Sequence, residues 1–138
     1  MTDNQNLQIP PQAKDLEAAV LGALLIDREA INIVMDILSP GDFYDPSHEI
    51  IYNAIVSLFD KMLPIDILTV TEKLKQAGNL EKAGGAYAIV ELANKVASGA
   101  NVEFHARIIA QKSIQRGLIS LSNQTLRKAM YDVEDVFD

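Results

Sequence analysis

His48-Glu49-Ile50-Ile51-Tyr52 has the opening of a zinc-protease helix, in which two histidines four residues apart bring two ring nitrogens to one metal ion. Tyr52 stands where the second histidine is required, and His105 is the one other histidine in the chain, so a metal site is not expected. His48 falls in the first turn of its helix, where a surface or capping role is expected. His105 is expected to be partly buried or at an interface, near the start of a long helix. Asp42, Asp45 and Asp66 resemble a carboxylate cluster. Each sits beside proline or at a helix start, however, where free backbone N–H groups and the helix dipole favour aspartate, so all three read as caps. A phosphate-binding loop needs glycines followed by lysine and a hydroxyl residue, and none of the seven glycines here is followed by lysine. Gly84-Gly85 reads as a tight turn opening a helix. With no cysteine, disulfides and thiolate metal sites are excluded. No serine, histidine and carboxylate trio stands out, and an active site is not legible.

The elements that carry these residues are helical throughout. Leu16, Val20, Leu21, Leu24 and Leu25 recur at three- and four-residue steps, and Ile31, Val34, Ile37 and Leu38 begin a second stripe after a break at Asp27. Gly22 lies inside the first stripe, where a close helix crossing would explain it. Ser39-Pro40-Gly41-Asp42 and Asp45-Pro46-Ser47 are consecutive helix-start signals. The next helix carries Ile50, Ile51, Ala54, Ile55, Leu58 and Phe59 and ends at Lys61-Met62-Leu63-Pro64. Asp66 caps a further helix that Gly78-Asn79 closes. A short helix with Tyr87, Ile89, Val90, Leu92 and Ala93 follows, and no segment alternates as a half-buried strand does.

From Val102 to about Tyr131 an uninterrupted pattern gives a helix of roughly 45 Å. That is longer than a small head, so its far end needs other cover. Phe104, Ile108, Ile109, Ile114, Leu118, Ile119, Leu121, Leu126 and Met130 lie along it. The expected fold is all-α, a compact multi-helix head and a long projecting helix. Val133-Glu134-Asp135-Val136-Phe137-Asp138 reads as the start of a second, cut-short arm of a helical hairpin. The expected division is a loose tail over 1–13, a head over 14–100 and the arm over 101–138, in a fragment of a longer protein.

The net charge of −7 belongs to the head: residues 1–100 carry 14 acidic and 7 basic side chains, and residues 101–138 carry 5 of each. An acidic head is a poor general binder of phosphate backbones. Asp66 to Gly78 has the look of a helix-turn-helix element with Lys73, Lys75 and Gln76, but Asp66, Glu72, Glu81 and Glu91 surround them. A small acidic DNA-binding regulator remains the second reading. Between Val102 and Tyr131, Arg107, Lys112, Arg116, Arg127 and Lys128 face one acid, Glu103, and read as a solvated helix face. The first residues lack a signal peptide's basic start and apolar run, and no apolar run spans a bilayer, so a cytoplasmic protein is expected.

In order, Ile9-Pro10-Pro11-Gln12, Leu16-Glu17-Ala18-Ala19-Val20-Leu21-Gly22, Asp42-Phe43-Tyr44, Pro64-Ile65-Asp66, Gly84-Gly85-Ala86-Tyr87 and Ala100-Asn101-Val102 with Ala106-Arg107-Ile108-Ile109 resemble the N-terminal domain of the bacterial replicative DNA helicase, the DnaB type. The resemblance runs from Ile9 to the end of the chain; Ser98-Gly99 departs from it mildly. It implies a head and helical hairpin that pair with neighbouring subunits, as a dimer within a hexamer, and form a collar above the ring. It also implies docking of the helicase-binding domain of primase, and contact with a helicase loader. ATP, Mg and the 5'-3' unwinding of DNA belong to the RecA-like domain that is absent here, so this fragment would hold no cofactor and touch DNA only through the parent ring. Tyr87, Phe104, Ile108, Ile119, Leu126 and Met130 are the candidate partner or oligomer contacts. Packing within the subunit's own hairpin is the alternative for the arm residues, and a place in the core is the alternative for Tyr87.

Overall fold

A computed structural model describes residues 9–131, which form six α-helices and no strand among those residues. In chain order these are α1 (Lys14–Ile26), α2 (Ala30–Val34), α3 (Pro46–Asp60), α4 (Ile67–Gln76), α5 (Ala86–Asn94) and α6 (Val102–Tyr131), with a single 3-10 turn at Pro40–Asp42 between α2 and α3. The expected start of a second arm at Val133–Asp138, and residues 1–8 of the expected tail, lie outside the described residues.

The helix boundaries follow local chemistry. Asp45 caps α3, its carboxylate accepting the Ser47 N–H at 2.9 Å. Asp66 caps α4 reciprocally with Thr69: Asp66 Oδ1 accepts the Thr69 N–H, and Thr69 Oγ1 accepts the Asp66 N–H, each at 2.9 Å. Around the 3-10 turn, Asp42 Oδ2 accepts the Ser39 N–H at 2.8 Å. Both α3 and α4 end in Schellman turns, in which the residue just past the cap turns left-handed and the next N–H reaches back five residues. At the end of α4 that residue is Gly78, with φ 75°. At the end of α3 it is Met62, with φ 59°, and the Leu63 N–H donates to the Leu58 carbonyl at 2.9 Å.

α1 is the axis of the head and packs on α2, α3, α5 and α6. Val20, Leu21 and Leu24 meet Ile51 and Ile55 of α3, Val70 and Leu74 of α4, Ile89 of α5 and Ala106 and Ile109 of α6 in one buried cluster. Gly22 allows the closest approach. A Cβ there would collide with the Leu92 carbonyl oxygen and the Val96 side chain, so even alanine would force α1 and α5 apart.

Only the first half of α6 joins this core. Val102, Ala106 and Ile109 are buried, and every residue from Gly117 to Tyr131 is exposed. Those residues carry the helix about 20 Å past the head at 1.5 Å per residue. The exposed Glu103–Arg107 pair, 2.9 Å apart, lies at (i, i+4) near the helix start and adds only about 0.3–0.5 kcal/mol.

Candidate functional site

The joint between head and arm is built from polar groups. Glu17 in α1 is 1% exposed and is the one buried charged side chain among the described residues. Its Oε2 accepts the Tyr44 N–H at 2.7 Å, and its Oε1 accepts the Asp45 N–H at 3.2 Å and faces His48 Nδ1 at 2.9 Å. One carboxylate therefore satisfies two backbone donors in the bend between the 3-10 turn and α3, and it fixes the imidazole beside them. A buried donor left without a partner costs about 1–3 kcal/mol, so this bend is held by its acceptor. His48 is thus corrected from a surface or capping side chain to a largely covered partner of Glu17. The expectation failed because the partner lies 31 residues earlier in the chain.

Asp45 completes the cluster. Burial raises its carboxyl, but hydrogen bonds from the Ser47 hydroxyl and N–H, with the charges of His48 and Lys14, outweigh burial and hold it below its ordinary 3.8. A carboxyl depressed on folding contributes stability that is fully present above the unfolded value and is lost as pH falls through the folded one. Thermal unfolding followed below pH 4 should therefore show a steeper acid-side fall in the parent chain than in Asp45→Asn, which keeps a capping oxygen but cannot titrate.

Above this bend, α6 is clamped to the head. Arg116 Nη1 donates to the Pro11 carbonyl and Nη2 to the Asp42 carbonyl, each at 2.8 Å, and the guanidinium lies 5.4 Å from the centre of the Tyr44 ring. Ser113 Oγ donates to Asp42 Oδ1 at 2.8 Å. Arg116 is therefore not part of a solvated basic face, contrary to its expected place there; its fork ties the Pro11 segment, the 3-10 turn and the arm together. Losing two charge-assisted hydrogen bonds and the ring contact should cost about 2 kcal/mol in Arg116→Ala, measured by urea unfolding. Arg116→Lys should recover little of it, since an ammonium lacks the planar fork.

Tyr52, which broke the metal motif, is fully buried. Its hydroxyl donates to the Leu38 carbonyl at 3.0 Å, and its ring lies 5.0 Å from that of Phe43. Burial, with the nearby charge of Asp42, pushes its hydroxyl well above the usual tyrosine range.

Beyond the joint the surface becomes apolar. Leu118, Ile119, Leu121, Leu126, Met130 and Tyr131 are all exposed along the free part of α6. At its base, Ile37, Arg107, Ala110, Ile114 and Gln115 border an open cleft of about 440 Å³. Gln115 Oε1 is buried there without a hydrogen-bond partner among the described residues.

A family model described as the DnaB-like helicase N-terminal domain matches residues 9–111. The chain belongs to this family. Among DnaB-type relatives, it is 47% identical over 131 residues to the replicative DNA helicase DnaB of Rhodothermus marinus, covering 95% of this chain and 14% of that protein. It is 41% identical over 135 residues to the replicative DNA helicase DnaC of Bacillus subtilis (strain 168), covering 98% of this chain and 30% of that protein. The chain thus spans less than a third of the length of these curated relatives. The crystal structure of the N-terminal domain of DnaB helicase from Mycobacterium tuberculosis superposes with a TM-score of 0.88 at 35% identity, covering 92% of this chain and 88% of that one. The N-terminal domain of DnaB helicase from Helicobacter pylori, described with its interactions with primase, shares the fold with a TM-score of 0.73 at 24% identity, covering 95% of this chain and all (100%) of that one.

In this DnaB-type head the candidate contact residues differ in exposure. Tyr87 stands 72% exposed in the first turn of α5, so its side chain is outside the core. Phe104 is exposed at the start of α6, its ring 6.2 Å from that of the half-buried His105. Ile119, Leu126 and Met130 are exposed on the free arm, whereas Ile108 is half-buried against the head. Among the described residues no three His, Asp or Glu side chains form a metal-binding group, and no helix is long and apolar enough to cross a membrane.

Proposed function

We infer that this chain is the assembly and partner-docking piece of a hexameric replicative helicase, with no catalytic step of its own. The observation that carries the reading is the arm: a rigid helix clamped at Arg116 and exposing Leu118, Ile119, Leu121, Leu126 and Met130 to water. A lone helix of this kind is marginal, and apolar side chains along it gain free energy when another polypeptide covers them. The open cleft at the arm's base, with its unpartnered Gln115 oxygen, suits a second helix laid alongside. In the parent protein the heads pair as dimers and build a collar above the ATP- and Mg-dependent ring that unwinds DNA 5'-3' in the cytoplasm. This fragment meets DNA only through that ring, and a helicase loader is a further partner of the assembly.

The partner docked by the collar is the helicase-binding domain of primase, by extension from the Helicobacter pylori relative. Tyr87 is the side chain chosen for that contact, being a largely exposed aromatic on a helix start. Isothermal titration of the chain with that primase domain should give a saturable complex, weakened about tenfold or more by Tyr87→Ala. An unchanged affinity would remove Tyr87 from the interface, and no heat at all would remove primase. The DNA-reading alternative gains nothing from the fold. α4 presents Lys73 and Lys75 beside Glu72, on a head whose acids outnumber its bases two to one.

A further inference from the structure

A second apolar surface lies away from the arm, where the end of α3 meets α4. Leu58, Leu63, Pro64 and Leu68 line a groove of about 340 Å³, together with the charged side chains Lys61, Lys73 and Glu72. Leu68 is 79% exposed although it sits in the first turn of a well-capped helix, and Met62, between the lining residues Lys61 and Leu63 in the chain, is 93% exposed. Met62 also occupies the left-handed position that glycine fills at the end of α4. A non-glycine residue there is strained, and such strain clusters at contact sites. Methionine adds a flexible apolar chain that adapts to whatever it meets.

The charges choose the occupant. The head carries two acids for every base, yet this groove is lined by two lysines against one acid, Glu72. Neither forms an ion pair with a described residue. The neighbouring Lys61 lowers the pKa of Lys73 from 10.5. Two cations lining one groove are stabilised by an anion placed beside them. Leucines and a surplus of lysines in one groove call for a segment that is apolar on one side and acidic beside it.

We propose that the α3–α4 groove is a docking site for an acidic amphipathic helix of a protein partner, whose apolar side chains lie on Leu58, Leu63 and Leu68 and whose carboxylate bridges Lys61 and Lys73. The site is separate from the arm, which packs on α1, α2 and the 3-10 turn. A partner can therefore occupy it while the arm is engaged in assembly.

The test uses two fluorescein-labelled helical peptides with leucines at i, i+3, i+4 and i+7. One is flanked by glutamates and the other by lysines at the same positions. Each is titrated into the 138-residue chain. The acidic peptide should bind with a Kd on the order of 100 µM or tighter and weaken as salt rises, and the basic one should bind at least about tenfold more weakly. The double variant Lys61→Glu/Lys73→Glu should reverse that preference. Leu68→Asp should abolish binding while leaving the far-UV circular dichroism unchanged, because Leu68 is exposed. Amide shifts on 15N-labelled chain should centre on Leu58, Leu63 and Leu68. Binding that ignores the charge reversal overturns the proposal, as do shifts confined to α6 or an acidic peptide that does not bind. A response to inorganic phosphate with none to either peptide would make the lysines a simple anion site and overturn it equally.

Discussion

Glu17→Ala is expected to destabilise the chain by about 3 kcal/mol, or roughly 10 °C in Tm for a domain of this size. The cost does not come from lost apolar contact. Removing the carboxylate leaves the Tyr44 and Asp45 N–H groups without acceptors in a buried bend and leaves His48 Nδ1 facing a void. Glu17→Gln is the sharper variant, because it keeps the shape. Both carboxylate oxygens accept, so an amide must turn its NH2 either to the Tyr44 N–H or to the Asp45 N–H and His48, setting a donor against a donor. A loss of about 1–2 kcal/mol is expected from that change alone. Urea unfolding followed at 222 nm reads both. If Glu17→Ala unfolds within about 0.5 kcal/mol of the parent, as an ordinary surface change does, the bend is not held by this residue. The same variant should loosen the arm, since the Tyr44 ring and the Asp42 carbonyl that seat Arg116 belong to the segment Glu17 fixes.

The second large effect is expected on association and not on folding. Ile119→Asp places a charge in the exposed stripe, where the isolated head makes no demand on it. Stability should therefore change by no more than about 0.5 kcal/mol. Self-association should weaken by about 2 kcal/mol or more, roughly thirtyfold in dissociation constant, because a buried interface would have to desolvate an unpaired carboxylate. Sedimentation equilibrium over a hundredfold range of concentration would resolve the shift, with the exposed Gln124→Ala as a control. A chain that stays monomeric throughout would remove the arm from assembly, and so would dimers indifferent to Ile119→Asp.

The helices were legible because their signals are local. Asp45-Pro46-Ser47 and Asp66 act within three residues of themselves, and the stripe from Leu16 to Leu25 follows the period of one turn. Gly22 was legible as a crossing because glycine inside an apolar stripe has few other uses, although which helix crossed was not. The joint was not legible. Glu17 meets Tyr44 from 27 residues away, and Arg116 meets Pro11 from 105 residues away, so no window of sequence holds both partners. The phrases that carried the family resemblance, Ile9-Pro10-Pro11-Gln12, Leu16-Glu17 and Asp42-Phe43-Tyr44, supply most of the groups that meet at that joint. The α3–α4 groove escaped for a different reason: Met62 and Leu63 read as a helix end, and the pattern does not say that the turn leaves them in solvent.

Because α6 passes from its clamped half to its free half without a break, the direction in which the apolar stripe points is set by counting residues from Arg116. One residue inserted near Gly117 would swing that stripe by about 100° and lift it 1.5 Å, while seven inserted together would return it to within about 20°. The helix therefore acts as a shaft that transmits angular phase. Its tolerance of changes in length should come in whole heptads.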